Sequence, residues 1–569
     1  MTQTPASSAA GRWGRPFLLL AVALSAVPLI VLARPELIGY DGFWHVFVAR
    51  QDDWGSLWDE IHRSAHPPLF YLCLKAAVAI FGTAVWVYRL VPILATLGSI
   101  WLVGRIVERT ARHPWLPPAA AFVFGASLTT VSIALDVRAY ALATFFMLWA
   151  CLTLLDLVEQ GFAAPRHRAR AVFALTASLA LLTHYATAFF LLAGLAAAAI
   201  PALVDRGYRH RLVIEWRRRW PADLLTFGLP LAVLAIEYAA HIASWSKRRF
   251  NHLPAFLFDP AREAAPRFLW RNTRALFELF VPPFDHRPFA STLIVTGPSL
   301  TAAVVAILVV GSLAAIIWLG LRPVRRGAGP PIARRVPPIV LAGMTALVVA
   351  AALLGHYPYG GPLRHQFFLF PFAVIVLTLV IDEVAARSGR RIGGLVVCLF
   401  ALGAVLNTAN WITHFRITRG YLMQAQVDRF RAAFPAPQAI YLDQFNLIPF
   451  FTHHHDRRWR FLRSTTAGDP VDVWRVGGEG PDGFYVCRDR GQWQLDLSRP
   501  VTYRRMLRCL EVTGSDRVAV YRPQQKGTTA AWPAARTAEV VADAAERAGL
   551  VVHEAVVAGE DVYASFSRR

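Results

Sequence analysis

Long apolar runs alternate with short polar loops over most of this 569-residue chain. As a helix, a run of about 20 apolar residues can cross a hydrocarbon core of roughly 30 Å. The first run covers residues 16–33, and further apolar segments lie at 67–82, 86–107, 116–135, 139–157, 171–183, 186–203, 222–242, 298–320, 336–354, 366–383 and 392–411. The pattern predicts a mainly α fold, a polytopic bundle of transmembrane helices occupying residues 1–411.

The first run has two interpretations. The letters VLA before Arg34 resemble the cleavage site of a signal peptide. We favour an uncleaved span, because many spans follow it and because it would anchor the polar loop that comes next.

Arginine-rich loops indicate which side of the membrane faces the cytoplasm. If the amino terminus is inside and residues 67–82 cross the membrane, the arginines of residues 105–112 fall outside. The conflict disappears if residues 67–82, headed by Pro67 and Pro68, dip into the membrane or lie flat. About 11 spans then remain, and the carboxyl terminus is outside. The arginine-rich loops are 105–112, 166–170, 206–219, 322–335 and 387–391.

The loop after the first span, residues 34–66, is rich in acidic and aromatic residues. An apolar helical face formed by Trp54, Leu57, Trp58 and Ile61 predicts a short helix lying on the membrane. We expect the carboxylates to face water and the headgroups; they are Asp41, Asp52, Asp53, Asp59 and Glu60. The alternatives are a surface linker and a catalytic loop held over a lipid-linked substrate.

Three more polar clusters fall on the same predicted side: residues 136–140, the long outer loop 243–297, and residues 355–365. Ionisable groups at membrane depth are costly and often mark a site. Asp136, Arg138 and Tyr140 could instead form a helix-end ion pair of little energetic weight. His184 and Tyr185, at a tight hairpin, could instead be an interfacial anchor.

The cluster at residues 355–365 contains Tyr357, Tyr359 and Arg364 among prolines and glycines. Proline and glycine predict an irregular turn, which would place Arg364 near headgroup depth at the start of the next span. A guanidinium there is suited to hold a lipid phosphate with two hydrogen bonds.

Residues 412–569 form a polar tail, for which we predict a small extracytoplasmic α/β domain. Strand-like runs lie at 439–442, 484–486, 517–521 and 561–566, and a helical pattern at 537–548. Cys487 and Cys509 could pair if the tail is extracytoplasmic. We interpret the run from His453 to Asp456 as a polar surface patch rather than as a metal site, because adjacent residues on a strand point to opposite faces.

Composition supports a membrane protein, with 55% hydrophobic residues and a mean hydropathy of +0.40. The net charge of +22 comes from 59 Lys and Arg residues, of which three are lysine. Arginine-rich loops recur between the spans, so we expect no nucleic-acid partner. The same charge favours anionic and phosphate-bearing lipids.

Several motifs, in order, resemble a known family. They are Asp41 after the first span, then His66-Pro67-Pro68-Leu69-Phe70-Tyr71, Arg89-Leu90-Val91-Pro92, Asp136-Val137-Arg138-Ala139-Tyr140, Leu182-Thr183-His184-Tyr185, and Arg364-His365 through Pro371. This series resembles the bacterial family-39-type glycosyltransferases, the protein mannosyltransferase and aminoarabinose-transferase relatives with the GT-C fold. The resemblance is good over residues 36–205 and loose or absent over 243–297 and the tail.

The resemblance implies an enzyme of the bacterial inner membrane that takes a hexose or pentose from a polyprenyl-phosphate donor. The acceptor would be an extracytoplasmic cell-envelope glycan, lipid or protein. Asp41 would assist the acceptor nucleophile, and His66 would lie near the donor phosphate. Many relatives have Asp-Glu where this chain has Asp41-Gly42, so a second carboxylate would come from Asp52, Asp53 or Asp136.

Glycosyl transfer needs these residue types. Its transition state resembles an oxocarbenium ion, a carboxylate can accept the proton of the attacking group, and cations can stabilise the leaving phosphate. Asp41 suits the base, and His66, Arg138 and Arg364 suit the phosphate. A single displacement with inversion is the hypothesis. The resemblance allows a divalent metal, but the sequence shows no ligand cluster with metal spacing.

Two other functions compete with this one. A transporter or flippase of lipid-linked sugars would also need an arginine-lined cavity, but should carry charges through the depth of its bundle and often has inverted repeats. A non-catalytic relative whose tail acts as a binding module is the third interpretation, and the missing acid after Asp41 keeps it open.

Overall fold

The computed structural model describes most of the chain as two compact units. The first, here the helical unit, comprises Met1–Arg34, Ala65–Cys73 and Arg89–Phe415; the second, here the sheet unit, comprises Pro35–Ser64, Leu74–Tyr88 and Arg416–Arg569. The described residues are 10–33, 38–64, 66–159, 167–204, 206–243, 254–280, 332–360, 363–414, 427–435, 437–465, 470–478, 482–492, 495–497, 499–522, 534–558 and 561–569.

The described part of the helical unit consists mainly of α-helices. In chain order they are α1 (Ala10–Val31), the start of α4 (Leu69–Phe81), most of α5 (Val85–Thr110), α6 (Leu116–Ala126), α7 (Leu128–Leu135), α8 (Tyr140–Glu159), α9 (His167–Thr183), α10 (Thr187–Ala199), α11 (Pro201–Val204), α12 (Arg206–Glu237), α13 (Ala265–Phe280), α14 (Val336–Leu353), α15 (Leu363–Gln366), α16 (Phe370–Ser388) and α17 (Arg390–His414). Shorter turns are Tyr238–Ile242, Pro254–Phe256, Ile332–Arg335 and Phe367–Leu369.

Within the described residues, five helices are long and apolar enough to cross a membrane, or six if α6 and α7 form one bent span. The prediction of a mainly α chain with several apolar helices is confirmed. The eleven-span count stays a prediction, and the apolar segment 298–320 lies outside the described residues. Helix α4 has 13 residues, so it is about 20 Å long and shorter than the hydrocarbon core.

Two segments differ from the sequence interpretation. The run 116–135 bends by 57° between α6 and α7, because Ser127 starts a new helix and accepts a hydrogen bond from the Thr130 N–H. Residues 206–219 are helical rather than a loop. Helix α12 leaves helical geometry at Arg219, close to Pro221, where proline interferes with helical geometry.

Buried ion pairs join three of the arginine-rich segments at one end of the helical unit. Arg334 pairs with the fully buried Asp382. The same carboxylate accepts hydrogen bonds of 3.1 Å from the backbone N–H groups of Arg112 and His113. Arg387, from the third segment, lies 3.5 Å from Glu383. Arg112, Arg334 and Arg387, one from each of these segments, thus meet at the carboxyl end of α16.

The sheet unit contains a seven-stranded mixed sheet of order β2-β3-β4-β1-β5-β7-β6. Strand β1 runs parallel to β4 and β5, and the other neighbours are antiparallel. The strands are β1 (Ala439–Asp443), β2 (Trp459–Ser464), β3 (Val471–Val476), β4 (Phe484–Asp489), β5 (Arg517–Arg522), β6 (Leu550–Ala558) and β7 (Asp561–Arg568); the helices are α2 (Tyr40–Ala49), α3 (Trp54–Arg63), α18 (Gln444–His453), α19 (Pro500–Thr513) and α20 (Ala534–Arg547).

The prediction of a small α/β domain in the tail is confirmed. All four strand-like runs form strands, and the helical pattern lies in α20. Cys487 of β4 and Cys509 of α19 form a disulfide with a Cα–Cα distance of 6.0 Å. Both cysteines lie in the apolar core between the sheet and α19.

The first loop belongs to the sheet unit, and this corrects two expectations. Helix α3 exists, but only part of its apolar face is available to a membrane: Leu57 and Ile61 are buried within the sheet unit, whereas Trp54 and Trp58 are 62% and 41% exposed. Glu60 does not face water. It is 3% exposed and pairs with the fully buried Arg488 of β4, because the sheet covers this side of α3.

Candidate functional site

Four residues far apart in sequence meet in the helical unit. The ring of His184 lies 4.9 Å from that of Tyr140 and 5.2 Å from that of His66. His66 and Tyr140 are 5.7 Å apart, and His365 lies 6.4 Å from Tyr140. We call these four residues the His–Tyr cluster. His365 was absent from the predicted site residues, although its position beside Arg364 in a family-like motif could have indicated it.

Helix ends hold this cluster in place. His66 stands before the Pro67-Pro68 pair that precedes α4, and Tyr140 is the first residue of α8. His184 follows the last residue of α9 and keeps a helical hydrogen bond from its N–H to the Ala180 carbonyl, at 2.9 Å. Because His66, Tyr140 and His184 are all buried, their polar atoms lie in an environment that strengthens electrostatic interactions.

The hydrogen bonding of His184 fixes which ring nitrogen carries its proton. Its Nδ1 accepts a hydrogen bond of 3.1 Å from the Ala186 N–H. In the neutral ring the proton is therefore on Nε2. The ring can then donate a hydrogen bond from Nε2 to an oxygen of a bound ligand.

Arg138 adds a positive charge beside the cluster. Its guanidinium lies 5.8 Å from the centre of the Tyr140 ring, within the range of a cation–π contact. Its Nε is 3.3 Å from a carboxylate oxygen of Asp136, and the Arg138 N–H donates to the Asp136 carbonyl at 2.8 Å. The predicted Asp136–Arg138 ion pair therefore exists, and it lies against the His–Tyr cluster.

The irregular turn before α15 brings Tyr357 to the same place. The Tyr357 hydroxyl donates to the His365 carbonyl at 2.7 Å, and Gln366 donates to the Pro358 carbonyl at 2.6 Å. These bonds close the turn predicted from its prolines and glycines. Arg364 is half-buried in α15, next to His365.

Tyr359 lies elsewhere. Its hydroxyl is 2.7 Å from that of Thr273, and its N–H donates to the Phe256 carbonyl at 2.9 Å. Burial raises the pKa of Tyr359, although the Thr273 hydrogen bond opposes the effect. Gly360 has a φ of 67°, and a Cβ there would collide with the backbone of Asn272. Tyr359 thus ties this turn to α13.

A second polar group surrounds Tyr185. Its hydroxyl donates to Glu237 at 3.3 Å and also contacts Nδ1 of His241. Neither Glu237 nor His241 was among the predicted site residues. Their positions could have indicated them. Two ionisable residues four positions apart in an otherwise apolar run are costly at membrane depth and often mark a functional site.

Asp41 lies in the sheet unit, in the first turn of α2. A helix amino terminus carries partial positive charge, which favours the ionised carboxylate. The His45 ring donates to the Asp41 carbonyl at 2.6 Å. The neighbouring Tyr40 stacks on Phe445 at 4.9 Å, and burial, together with the charge of Asp41, raises its pKa.

The described residues contain no group of three or more His, Cys, Asp and Glu side chains that could hold a metal ion. The His453–Asp456 run lies at the end of α18 and the following turn, rather than on a strand as expected. Nε2 of His453 is 3.1 Å from Arg431, whereas Nδ1 of His455 is 3.2 Å from the Tyr88 hydroxyl. A divalent metal therefore remains a prediction from the family resemblance.

Comparison with known proteins gives no family assignment. No protein-family model and no curated protein sequence match the chain. The oligosaccharyltransferase of Archaeoglobus fulgidus in its apo form is 13% identical, with a TM-score of 0.43, over 77% of this chain and 63% of that one. The same enzyme with zinc and sulfate is 12% identical, with a TM-score of 0.46, over 89% and 68%.

A third similar structure is ArnT of Cupriavidus metallidurans bound to undecaprenyl phosphate. It is 17% identical, with a TM-score of 0.37, over 79% of this chain and 85% of that one. This chain spans less than two thirds of the apo archaeal enzyme. At these identities and TM-scores, the likenesses carry no argument about activity.

Proposed function

We propose that this chain is a membrane glycosyltransferase that moves a sugar from a polyprenyl-phosphate donor to an extracytoplasmic acceptor. The donor sugar is a hexose or pentose, and the acceptor is a cell-envelope glycan, a lipid or a protein. Transfer occurs by a single displacement with inversion, in the bacterial inner membrane.

One observation supports this proposal above the others. Residues from three family-like motifs that are widely separated in sequence, His66, Tyr140 and His184, pack against one another, with Arg138 beside them. A meeting of chemically competent groups at the ends of apolar helices is what a lipid-phosphate site requires. Motif resemblance alone does not demand that these side chains touch.

The proposed roles follow from the chemistry of each group. Arg138 and Arg364 hold the donor phosphate, since guanidinium groups match its oxygens. His66 and His184 donate hydrogen bonds to the leaving phosphate as its charge grows. Asp41 accepts the proton of the attacking acceptor group. Tyr140 positions the two imidazoles by packing against both.

The carboxyl-terminal sheet unit is proposed to be extracytoplasmic. Its Cys487–Cys509 disulfide supports this compartment, because disulfides form and persist in oxidising surroundings. The same assignment puts the predicted base, Asp41, on the side where transfer would occur.

The transporter alternative predicts charges distributed through the bundle. On the helix that covers Arg364–Ser388, the described ionic groups lie near its two ends. His365 and Asp382 are 17 residues apart in sequence, which is about 25 Å along a helix axis. This separation favours an enzyme with a site at one membrane surface.

The test is a transfer assay in membranes with a panel of radiolabelled polyprenyl-phosphate sugars. We expect Asp41→Asn to lower the transfer rate by about 10²- to 10⁴-fold, the usual contribution of a general base. Asp59→Asn is the matched control, since Asp59 lies in the same loop with its side chain 69% exposed. Full activity of folded Asp41→Asn protein would refute the base assignment.

The anomeric configuration of the product tests the displacement. Inversion relative to the donor is expected, because a single attack occurs opposite the leaving phosphate. A product with the donor's configuration would rule out single displacement. No transfer with any donor, despite folded wild-type protein, would favour the transporter or the non-catalytic relative.

A further inference from the structure

The sheet unit contains a cleft of about 550 Å³ that the proposed transfer chemistry does not use. Its volume is within the range of roughly 300–1,000 Å³ typical of small-molecule sites. It lies beside the amino-terminal part of β1 and the start of β4, and the end of α18 closes one side. It contains none of the predicted site residues.

The cleft is positively charged. Arg431, Arg457 and Arg458 line it, and Asp482 is the one carboxylate among the described lining residues. Arg458 is exposed, with 75% of its side chain accessible, and Arg431 is exposed as well. Guanidinium groups at an open cleft can bind a phosphate or carboxylate with paired hydrogen bonds.

The inner part of the cleft combines aromatic rings with a buried imidazole. His454 is 3% exposed and lines the cleft. It packs against Phe450 and Phe484, with ring centres 4.7 and 5.4 Å away. The hydrogen bonds that hold His454 are made by its backbone: its N–H donates to Phe451 and its carbonyl accepts from Trp459 Nε1, each at 3.0 Å. The imidazole ring of His454 thus adds polar nitrogen atoms to an otherwise apolar surface.

Glycines shape the entrance. Gly477 has a φ of 87°, a left-handed conformation that side-chain-bearing residues rarely adopt. A Cβ at Gly477 would approach Gly483 to 3.3 Å. Both glycines line the cleft, so the two chain segments can pass closely there.

The first loop holds one wall of the cleft. Nη2 of Arg50 donates to the Arg457 carbonyl at 2.9 Å, and Arg50 also donates to the His455 carbonyl. Nε of Arg458 lies 3.5 Å from Asp52. Arg50 directly follows α2, so it is about 14 Å along the helix axis from Asp41. The cleft and the proposed base are therefore carried by one unit, separated by one short helix.

We propose that this cleft binds the anionic group of a saccharide acceptor, a phosphate or a carboxylate on the sugar. The arginines recognise the anion, and the aromatic surface and His454 contact the sugar body. Identifying the ligand as the acceptor rests on the proposed transferase function. The site itself does not, because binding can be measured without transfer.

Direct binding to purified full-length Asp41→Asn protein tests the proposal. The probes are mannose 6-phosphate, glucuronate, neutral glucose and inorganic phosphate, titrated by calorimetry. We expect saturable binding of at least one anionic sugar and none of glucose. Arg431→Gln combined with Arg457→Gln should weaken that binding tenfold or more. Arg460→Gln, an exposed arginine on neighbouring β2 outside the cleft, should leave it unchanged.

Each other outcome overturns a defined part. No saturable binding of either anionic sugar to folded protein would overturn the site. Equal loss in the Arg460→Gln control would show that general charge, not the cleft, attracts the probe. Inorganic phosphate binding as tightly as mannose 6-phosphate would overturn saccharide recognition. Transfer by the wild-type protein without such binding would overturn the binding site but not the transferase function. Binding without transfer by the wild-type protein would overturn the transferase function, and with it the identification of the ligand as the acceptor, but not the binding site.

Discussion

At the scale of single residues, His454 shows how burial controls a proton. Burial, reinforced by the positive charges of His453, Arg457 and Arg431, lowers the pKa of His454 to about 3. An unfolded chain would hold this imidazole with a pKa of about 6.5. Below that value the unfolded state binds a proton that the folded state excludes.

Acid should therefore destabilise the sheet unit progressively between pH 6.5 and about 3, where the folded state also becomes protonated. At pH 5 the loss from His454 is about 2 kcal/mol, or 1.5 pH units at about 1.4 kcal/mol each. Hydrogen exchange at β1 and β4, corrected for intrinsic rates, measures it. The pH dependence should shrink in His454→Asn and persist in His553→Asn, an exposed control. An equal dependence in both variants would contradict the assignment.

At the scale of elements, Arg488 connects the first loop to the sheet. It is fully buried on β4, where it pairs with Glu60 of α3 and with Asp472 of β3. Its guanidinium also lies 4.9 Å from the Trp474 ring. Glu60 and Asp472 are buried too. Arg63 also lies 3.1 Å from each carboxylate, but Arg488 is their one fully buried cation among the described residues.

Arg488→Ala should cost about 3–5 kcal/mol, because two carboxylates would be left buried without their main partner. Arg490→Ala is the matched control: Arg490 also contacts Asp472, at 3.3 Å, but is 28% exposed, so its loss should cost less than about 1 kcal/mol. Thermal unfolding followed by proteolysis of the first loop reports both. Adding Glu60→Gln to Arg488→Ala should recover part of the loss.

A comparable loss in both arginine variants would show that Asp472, and not the buried network, controls stability. The functional consequence is separate. Because α2 carries Asp41 and precedes α3, loosening α3 should lower transfer in Arg488→Ala more than in Arg490→Ala at a temperature where both proteins are folded.

The sequence identified those elements whose pattern is local. Strands β1, β4, β5 and β7 are runs of apolar and aromatic residues, so alternation and composition were enough. Strand β3 was not predicted, because Asp472 and Arg475 interrupt its apolar residues. The charge on Asp472 is tolerated because arginines from other elements, chiefly the buried Arg488, neutralise it. Strand β2 is an edge strand with mostly exposed side chains, which leaves little periodic signal.

Contacts between residues far apart in sequence were harder to predict. Periodicity correctly predicted helix α3, but it does not say what covers an apolar face, and the sheet rather than a membrane buries Leu57 and Ile61. Likewise, motifs suggested His66 and His184 separately, while their contact depends on the packing of helices. Tyr359 and Tyr357 lie in the same predicted turn, and yet the Tyr359 hydroxyl bonds to Thr273. Closeness in sequence does not determine the direction in which each side chain points.

At the scale of the whole molecule, the helical unit contains two separate groups of polar residues, the His–Tyr cluster and an ion-pair network. The end of α16 carries the Arg334–Asp382 network, which joins arginine-rich segments. Buried ion pairs of this kind lock helix ends but contribute little net stability. The positive-inside bias predicts that this end faces the cytoplasm. With the predicted odd number of spans, the proposal puts the disulfide-bonded sheet unit in the opposite compartment.

Single cysteines test this sidedness directly. Ser388 ends α16 and is exposed, and Glu511 is exposed on α19. Cys73, Cys151 and Cys398 are replaced first, while the Cys487–Cys509 disulfide is kept. A membrane-impermeant maleimide should label Glu511→Cys in intact spheroplasts, and label Ser388→Cys only after the membrane is permeabilised.

The labelling pattern discriminates between the span counts because each extra crossing reverses the side. Labelling of neither cysteine in intact spheroplasts would put the sheet unit in the cytoplasm. Since that unit includes the loop after the first apolar run, residues 16–33 would then not cross the membrane from an inside amino terminus. Asp41 would then lie on the cytoplasmic side, and transfer to an extracytoplasmic acceptor would be untenable. Labelling of both would instead contradict the arginine-based assignment of the α16 end, while leaving the sheet unit where the transferase needs it.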